Sequence, residues 1–174
     1  MKVGFRVDAS YQIGSGHLVR CLSLAKELRE KNIESIFIIK KNKGNLISLI
    51  IKNKFKFTII NYKKKTSDDL LNWKLDAIET AKKIKNKGIT HLIIDHYGIE
   101  KKWEEYLNDF VDKIIVIDDL ADRKHFCDVL IDYSLPKKNY LKLVPSHSKI
   151  LVGPEFIFLD KSFIEERSKM KKIE

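Results

Sequence analysis

Along the chain, short apolar runs alternate with longer stretches whose apolar residues recur every three or four positions. The runs predict strands at Val3–Val7, Ile33–Ile39, Phe55–Ile60, Ile89–Asp95, Ile114–Asp118, Val129–Asp132 and Ile150–Val152. The amphipathic stretches predict helices at Gly16–Lys31, Asn45–Lys54, Asp68–Asn86 and Glu100–Phe110, with a strongly charged last helix over Asp160–Lys172. On the first helix the apolar stripe is Leu18, Cys21, Leu22, Ala25 and Leu28. On the third it is Leu71, Leu75, Ile78, Ala81 and Ile84, with Gly88 placed to cap the end. Tyr62–Thr66 reads as a lysine-rich loop. Ile114–Ile117 is unbroken Ile and Val, the pattern of a strand covered on both faces. This alternation predicts an α/β fold, a Rossmann-like parallel sheet with helices on both faces and with Val3–Val7 and Ile114–Asp118 among its interior strands. Crossovers in such sheets are right-handed, and ligands bind beyond the carboxyl ends of the strands. Chemistry is therefore expected in the loops that follow them.

The first such loop runs Asp8-Ala9-Ser10-Tyr11-Gln12-Ile13-Gly14-Ser15-Gly16-His17. Gly14 and Gly16 permit positive φ and let a ligand approach the backbone. The amides opening the helix at Ser15–Leu18 form a weak anion site. Neither G-x-G-x-x-G nor the P-loop pattern is met. His17 stands at the helix start, where the positive dipole end disfavours imidazolium. A neutral imidazole aimed at the crevice is a general base; a ring that only caps and packs the turn is the other role open to it. Arg20, one turn on, either braces the loop by pairing with Asp8 or Asp119 or contacts a phosphate directly.

In the second loop, Asp95 ends a buried strand and either faces the crevice or caps the next helix. Tyr97 brings a hydrogen-bonding hydroxyl to the same loop. His96 points opposite to its neighbours and reads as a surface residue. In the third loop, Asp118-Asp119-Leu120-Ala121-Asp122-Arg123, Asp122 and Arg123 brace the chain and Asp119 faces the ligand. Paired acids also occur in phospho-receiver domains. That arrangement needs a phosphoacceptor Asp after the third strand and a Lys after the fifth, and only Asp8 fits in part. No spacing of His, Cys or acids makes a closed ligand set, so no metal and no cofactor is expected. Cys21, Cys127, Trp73 and Trp103 read as packing residues, and His91, His125 and His147 carry no usable pattern.

Composition narrows the function classes. The 174 residues suffice for one ordinary domain, expected over 1–160. With 44% hydrophobic and 33% charged residues the chain is globular rather than disordered. The net charge of +10 comes from 29 lysines and only five arginines, spread over every segment. The clusters Lys40-Lys41-Asn42-Lys43 and Lys63-Lys64-Lys65 lack interleaved aromatics and Arg, so no nucleic-acid partner is expected; a basic surface still attracts an anionic small substrate. No apolar run approaches the roughly 20 residues of a membrane span. The charged N-terminus reads as no export signal, and two cysteines 106 positions apart suit a reducing compartment, so a cytoplasmic protein is expected.

The same residues carry a resemblance. Arg6-Val7-Asp8, Ile13-Gly14-Ser15-Gly16-His17, Arg20-Cys21-Leu22 and Leu24-Ala25 are similar to the opening of the UDP-sugar hydrolases of pseudaminic acid biosynthesis, relatives of the MurG-like GT-B glycosyltransferases. Ile94-Asp95-His96-Tyr97 resembles the Asp-x-Tyr after that family's fourth strand. Ile117–Arg123 with Cys127-Asp128 resembles its next segment, and Gly153-Pro154-Glu155-Phe156 the close of its N-terminal domain. The family commonly has Asn near Asp132 and Arg near Asp160.

The resemblance implies hydrolysis of UDP-2,4-diacetamido-2,4,6-trideoxy-β-L-altropyranose to free sugar and UDP, by attack of water on the anomeric carbon. It implies His17 as the catalytic base and Asp8, Gly14, Ser15, Gly16, Arg20, Asp95, Tyr97 and Asp119 as substrate-binding residues, with Asp8 or Asp95 stabilising charge at the anomeric centre. It implies no metal or cofactor, because UDP is already a good leaving group. It also implies a C-terminal nucleotide-binding domain with a Gly-Gly-Ser-Asp-like loop, reached through residues 161–174 or supplied by a separate chain; the 174 residues contain no such loop. Two rivals stay open: a sugar-binding module without chemistry, and half of a UDP-sugar glycosyltransferase in which an acceptor replaces water.

Overall fold

The computed structural model describes residues 1–10, 14–40, 43–62, 73–159 and 166. Tyr11-Gln12-Ile13 of the glycine loop, Lys41-Asn42 of the first lysine cluster, all of the second, Leu71 with the expected start of the third helix, and all of the expected last helix except Glu166 lie outside the described residues.

The elements are β1 (Lys2–Val7), α1 (Gly16–Glu30), β2 (Glu34–Lys40), α2 (Ile47–Lys52), β3 (Lys56–Ile60), α3 (Trp73–Lys87), β4 (His91–Asp95), α4 (Lys101–Asn108), β5 (Lys113–Ile117), β6 (Val129–Asp132) and β7 (Lys149–Val152), followed by a short 3-10 turn at Pro154–Phe156. The strands form one sheet in the order β3-β2-β1-β4-β5-β6-β7. Every pairing is parallel. The fold is thus the expected Rossmann-like α/β sheet, with β1 and β5 interior. The chain winds outward from β1 to β3, crosses back, and winds the other way from β4. The switch between β1 and β4 opens a crevice at their carboxyl ends.

The pleat decides which side each residue serves. Val3, Phe5 and Val7 of β1, with Phe37 and Ile39 of β2, meet Leu18, Cys21, Leu22 and Ala25 of α1 and Ile50 of α2. Ile36, Ile38, Leu92, Ile94, Ile114 and Val116 point to the other face, against Ala77, Ala81 and Ile84 of α3 and Trp103 and Leu107 of α4. Trp103 is fully buried, and truncating it to Ala would cost about 3–5 kcal/mol.

One sequence expectation is corrected here. The buried face of α3 carries Asp76, Ala77, Thr80, Ala81 and Ile84, while Leu75 and Ile78 are only half-buried. The helix is turned because Asp76 is drawn inward by a buried guanidinium and by the Trp103 Nε1–H, which donates to it at 3.0 Å. Gly88, at φ +64, closes α3 as expected, its N–H donating to Lys85 O.

Candidate active site

Four groups meet where β1 and β4 part. Along β1 and the residue that follows it, period-2 alternation puts Arg6 and Asp8 on one side, opposite Val7. Arg6 is fully buried and forks between Asp8 (2.7 and 3.2 Å) and Asp76 (2.7 and 3.2 Å). Burial pushes the Asp8 carboxyl up, but the Arg6 charge and the His96 contact outweigh it and hold Asp8 well below the usual carboxylate range. Asp8 also accepts the Lys40 N–H at 2.9 Å, so it is a strut of the crevice as well as part of its wall.

The first turn of α1 supplies His17 and Arg20, one turn apart and both buried. His17 Nδ1 lies 2.5 Å from Asp95 Oδ1. Arg20 grips the same carboxylate with Nε and Nη2, and its Nη1 donates to Asp119 (3.1 Å) and Tyr133 (2.9 Å). An ionised carboxylate only accepts, so the His17 proton is assigned to Nδ1, facing Asp95. Arg20 Nη2, 2.9 Å from Nδ1, is then a close neighbour of that nitrogen and spends its proton on Asp95. Among the described residues Nε2 of His17 makes no hydrogen bond. The Tyr97 ring stands edge-on to His17, centroids 4.4 Å apart, and its hydroxyl donates to Asp119 at 2.9 Å. Burial, then the Asp119 carboxylate, push the Tyr97 phenol up to about 12. Burial raises Asp119, but its bonds from Arg20 and Tyr97 prevail and hold it below the usual range.

A cavity of about 280 Å³ opens between these groups, lined by Asp8, His17, Asp95, His96, Tyr97 and Gly98. Asp119 and Arg20 form its outer support rather than its lining. Gly14, Ser15 and Gly16 are exposed and lie outside it. Of the two glycines only Gly14 needs its freedom, at φ +88; Gly16 is the first residue of α1 and has open space where a Cβ would stand.

Charge follows a pattern: three guanidinium groups are each shared by two carboxylates. Arg6 serves Asp8 and Asp76, Arg20 serves Asp95 and Asp119, and Arg123 serves Asp118 and Asp122. Among the described residues the lining contains no Lys or Arg. Such a wall repels a phosphate and favours positive charge. Among the described residues no group of three or more His, Cys, Asp or Glu side chains is arranged to hold a metal ion.

The structure therefore brings His17, Asp8, Asp95 and Tyr97 together, with Asp119 and Arg20 behind them. Arg20 pairs with Asp119, one of its two expected partners, and not with Asp8, because Arg6 already occupies that carboxylate. His96 is not the expected surface residue. The strand alternation ends at Asp95, and the turn at Tyr97–Gly98 swings its ring inward, where only 15% of the side chain is exposed. Asp122 and Arg123 brace their loop as anticipated, Arg123 donating also to Ile99 O at 3.1 Å. Cys21 and Cys127 are buried and unbridged. Sequence reasoning missed the roles of Arg6, Asp76, Tyr133 and the buried His125–Glu104 pair (2.7 Å). For Arg6 a signal existed, a cation two positions before an acid on one strand; for the others there was none.

Comparison with known proteins agrees with this architecture. No protein-family model matches the chain. It is 28% identical over 174 residues to an uncharacterized protein of Methanocaldococcus jannaschii, covering 98% of this chain and 33% of that one. It is 30% identical over 169 residues to the UDP-2,4-diacetamido-2,4,6-trideoxy-beta-L-altropyranose hydrolase of Campylobacter jejuni, covering 95% of this chain and 54% of that enzyme. Among solved structures, MurG of Acinetobacter baumannii superposes with a TM-score of 0.59 at 10% identity, over 86% of this chain and 44% of MurG. A glycosyltransferase from Rickettsia africae gives 0.51 at 14% identity, over 99% and 50%. The chain thus spans about a third to a half of the length of the curated relatives it matches, and in fold it is similar to about half of each glycosyltransferase.

Proposed function

We propose that the protein acts on a UDP-linked sugar, splitting the anomeric C–O bond with water, and that the sugar is a 2,4-diacetamido-2,4,6-trideoxy hexose on its way to a nonulosonic acid such as pseudaminic acid. The observation that carries this reading is the His17–Asp95 contact. It commits Nδ1 to the carboxylate and leaves Nε2, on a ring lining the cavity, able to accept a proton. The similarity to the Campylobacter hydrolase supports it.

In the reaction one bond forms, between the water oxygen and the anomeric carbon. One breaks, between that carbon and the diphosphate oxygen, which keeps the electron pair. Nε2 takes a proton from the attacking water, and Asp95 stabilises the imidazolium that results. As UDP departs, positive charge builds at the anomeric centre. Asp8 and Asp95 in the wall and Asp119 behind it favour that charge. Tyr97 at the mouth offers a ring face and a hydroxyl to the sugar. Among the described residues the lining offers the diphosphate no Lys or Arg, and its contacts are assigned to a C-terminal nucleotide-binding domain or a partner chain. Buried, unbridged Cys21 and Cys127 fit a reducing, cytoplasmic setting.

The glycosyltransferase-like fold supports a second reading, in which Nε2 deprotonates an acceptor hydroxyl. Incubation with the UDP-sugar in water labelled with oxygen-18 separates the two. Hydrolysis at carbon puts the label in the free sugar and none in UDP. Release of UDP only when an acceptor is added supports the transferase, and sugar binding without release supports a binding module.

A further inference from the structure

The cavity contains a second imidazole–carboxylate pair, whose imidazole the proposed reaction leaves unused. His96 Nδ1 accepts the Gly98 N–H at 2.9 Å, so that nitrogen carries no proton. The ring proton sits on Nε2, which lies 3.3 Å from Asp8 Oδ2 and donates to it. Asp8 is itself immobilised by Arg6 and by the Lys40 N–H, and Arg6 by Asp76. One ring thus fastens an exterior turn to a buried frame. Tyr97 stands inside that turn. It is 47% exposed, and beyond the turn its anchors are the Asp119 hydrogen bond, the edge contact with His17 and the Arg123 guanidinium, 6.0 Å from its ring centroid. Asp95 is different, because Arg20 fixes it independently.

We infer that His96 is a positioning residue: its ring locks the 96–98 turn onto Asp8 and so fixes Tyr97 edge-on to His17. The inference rests on the proposed function only for the purpose of this placement, which is to present Tyr97 to the sugar beside the base.

The test is made by NMR on the 174-residue chain. The carbon-bound ring protons of His17 feel the ring current of Tyr97, and Tyr97→Leu defines its size. His96→Phe keeps the ring volume and removes both hydrogen bonds; it should abolish most of that shift while the core amide spectrum stays native. His96→Asn can still accept the Gly98 N–H through an Asx turn, and should restore part of the shift. A native His17 shift in His96→Phe overturns the inference, as does a His96→Asn variant no different from it. If the Phe variant does not fold, His96→Ala is read in the same way. No substrate enters the measurement. A lost shift together with full turnover in a His17→Asn variant rejects His17 as the base and keeps the clamp; a native shift together with a strong loss of turnover in His17→Asn does the reverse.

Discussion

Arg6 and Asp76, seventy positions apart in the chain, are joined by two hydrogen bonds of 2.7 and 3.2 Å beneath the floor of the crevice. The pair ties β1 to α3, and through Asp8 and His96 it reaches the cavity. Replacing Arg6 by Met would leave two buried carboxylates without their cation. Removing one partner of a buried pair costs about 3–5 kcal/mol, so the Arg6→Met chain should unfold at markedly lower denaturant concentration. Adding Asp76→Asn should recover part of the loss. Equal stabilities of wild type and Arg6→Met in urea would show that the network is energetically idle.

The same carboxylates set the response to acid. Asp8 and Asp76 are both held below their ordinary value, near 4 in an unfolded chain, by Arg6 working against burial. A depressed folded value stabilises above the unfolded value and is lost as pH falls below it. The melting temperature should stay nearly level from neutrality down to about pH 4 and drop below it. The drop should be shallower in Asp76→Asn, measured by circular dichroism against the wild type.

Tyr97 should be a late-titrating phenol. Its value of about 12 reflects burial and the Asp119 carboxylate, both of which oppose phenolate. In a difference titration of wild type against Tyr97→Phe at the phenolate absorption band, the Tyr97 component should still be absent near pH 10, about the ordinary midpoint. Asp119→Asn should bring it down.

If His17 is the base, His17→Asn should lower kcat on the order of 10²–10⁴-fold with little change in KM, the usual worth of positioned proton transfer. Turnover per folded molecule, with the melting temperature measured alongside, separates this from a packing defect. Near wild-type kcat would leave His17 as a binding element only.

UDP alone should bind these residues weakly, with Kd no tighter than roughly millimolar. The reason is the wall: three guanidinium groups are each divided between two carboxylates, and among the described residues the lining contains no Lys or Arg. Calorimetry showing micromolar UDP would place a diphosphate site within this chain and overturn that division of labour.

The sheet was legible because its information is local. Every strand announced itself as an apolar run, and the observed bounds differ only by a few residues at the ends, as at Ile89–Asp95 against His91–Asp95. The loops destined to surround the crevice were legible from topology, since strand ends define it. What stayed hidden depends on partners distant in sequence. Asp76 lies off the predicted apolar stripe of its helix, and Arg6 and Trp103 make it a core residue. Arg20 could be assigned a bracing role, but its principal partner, Asp95, was settled by competition with Arg6 for Asp8. His96 was misread because alternation was extended one residue past the strand's end.

Asp95 and His96 are consecutive, yet one serves α1 and the other serves β1. Their partners are sorted purely by position in the count from the end of β4. Deleting Asp95 would turn an imidazole toward Arg20, and inserting a residue before Asp95 would displace its carboxylate from His17. Across natural variants of this chain, length changes should therefore be tolerated in the loops after β2, β3 and β6 long before they are tolerated here. The spacing of this turn decides which partner each of its side chains meets.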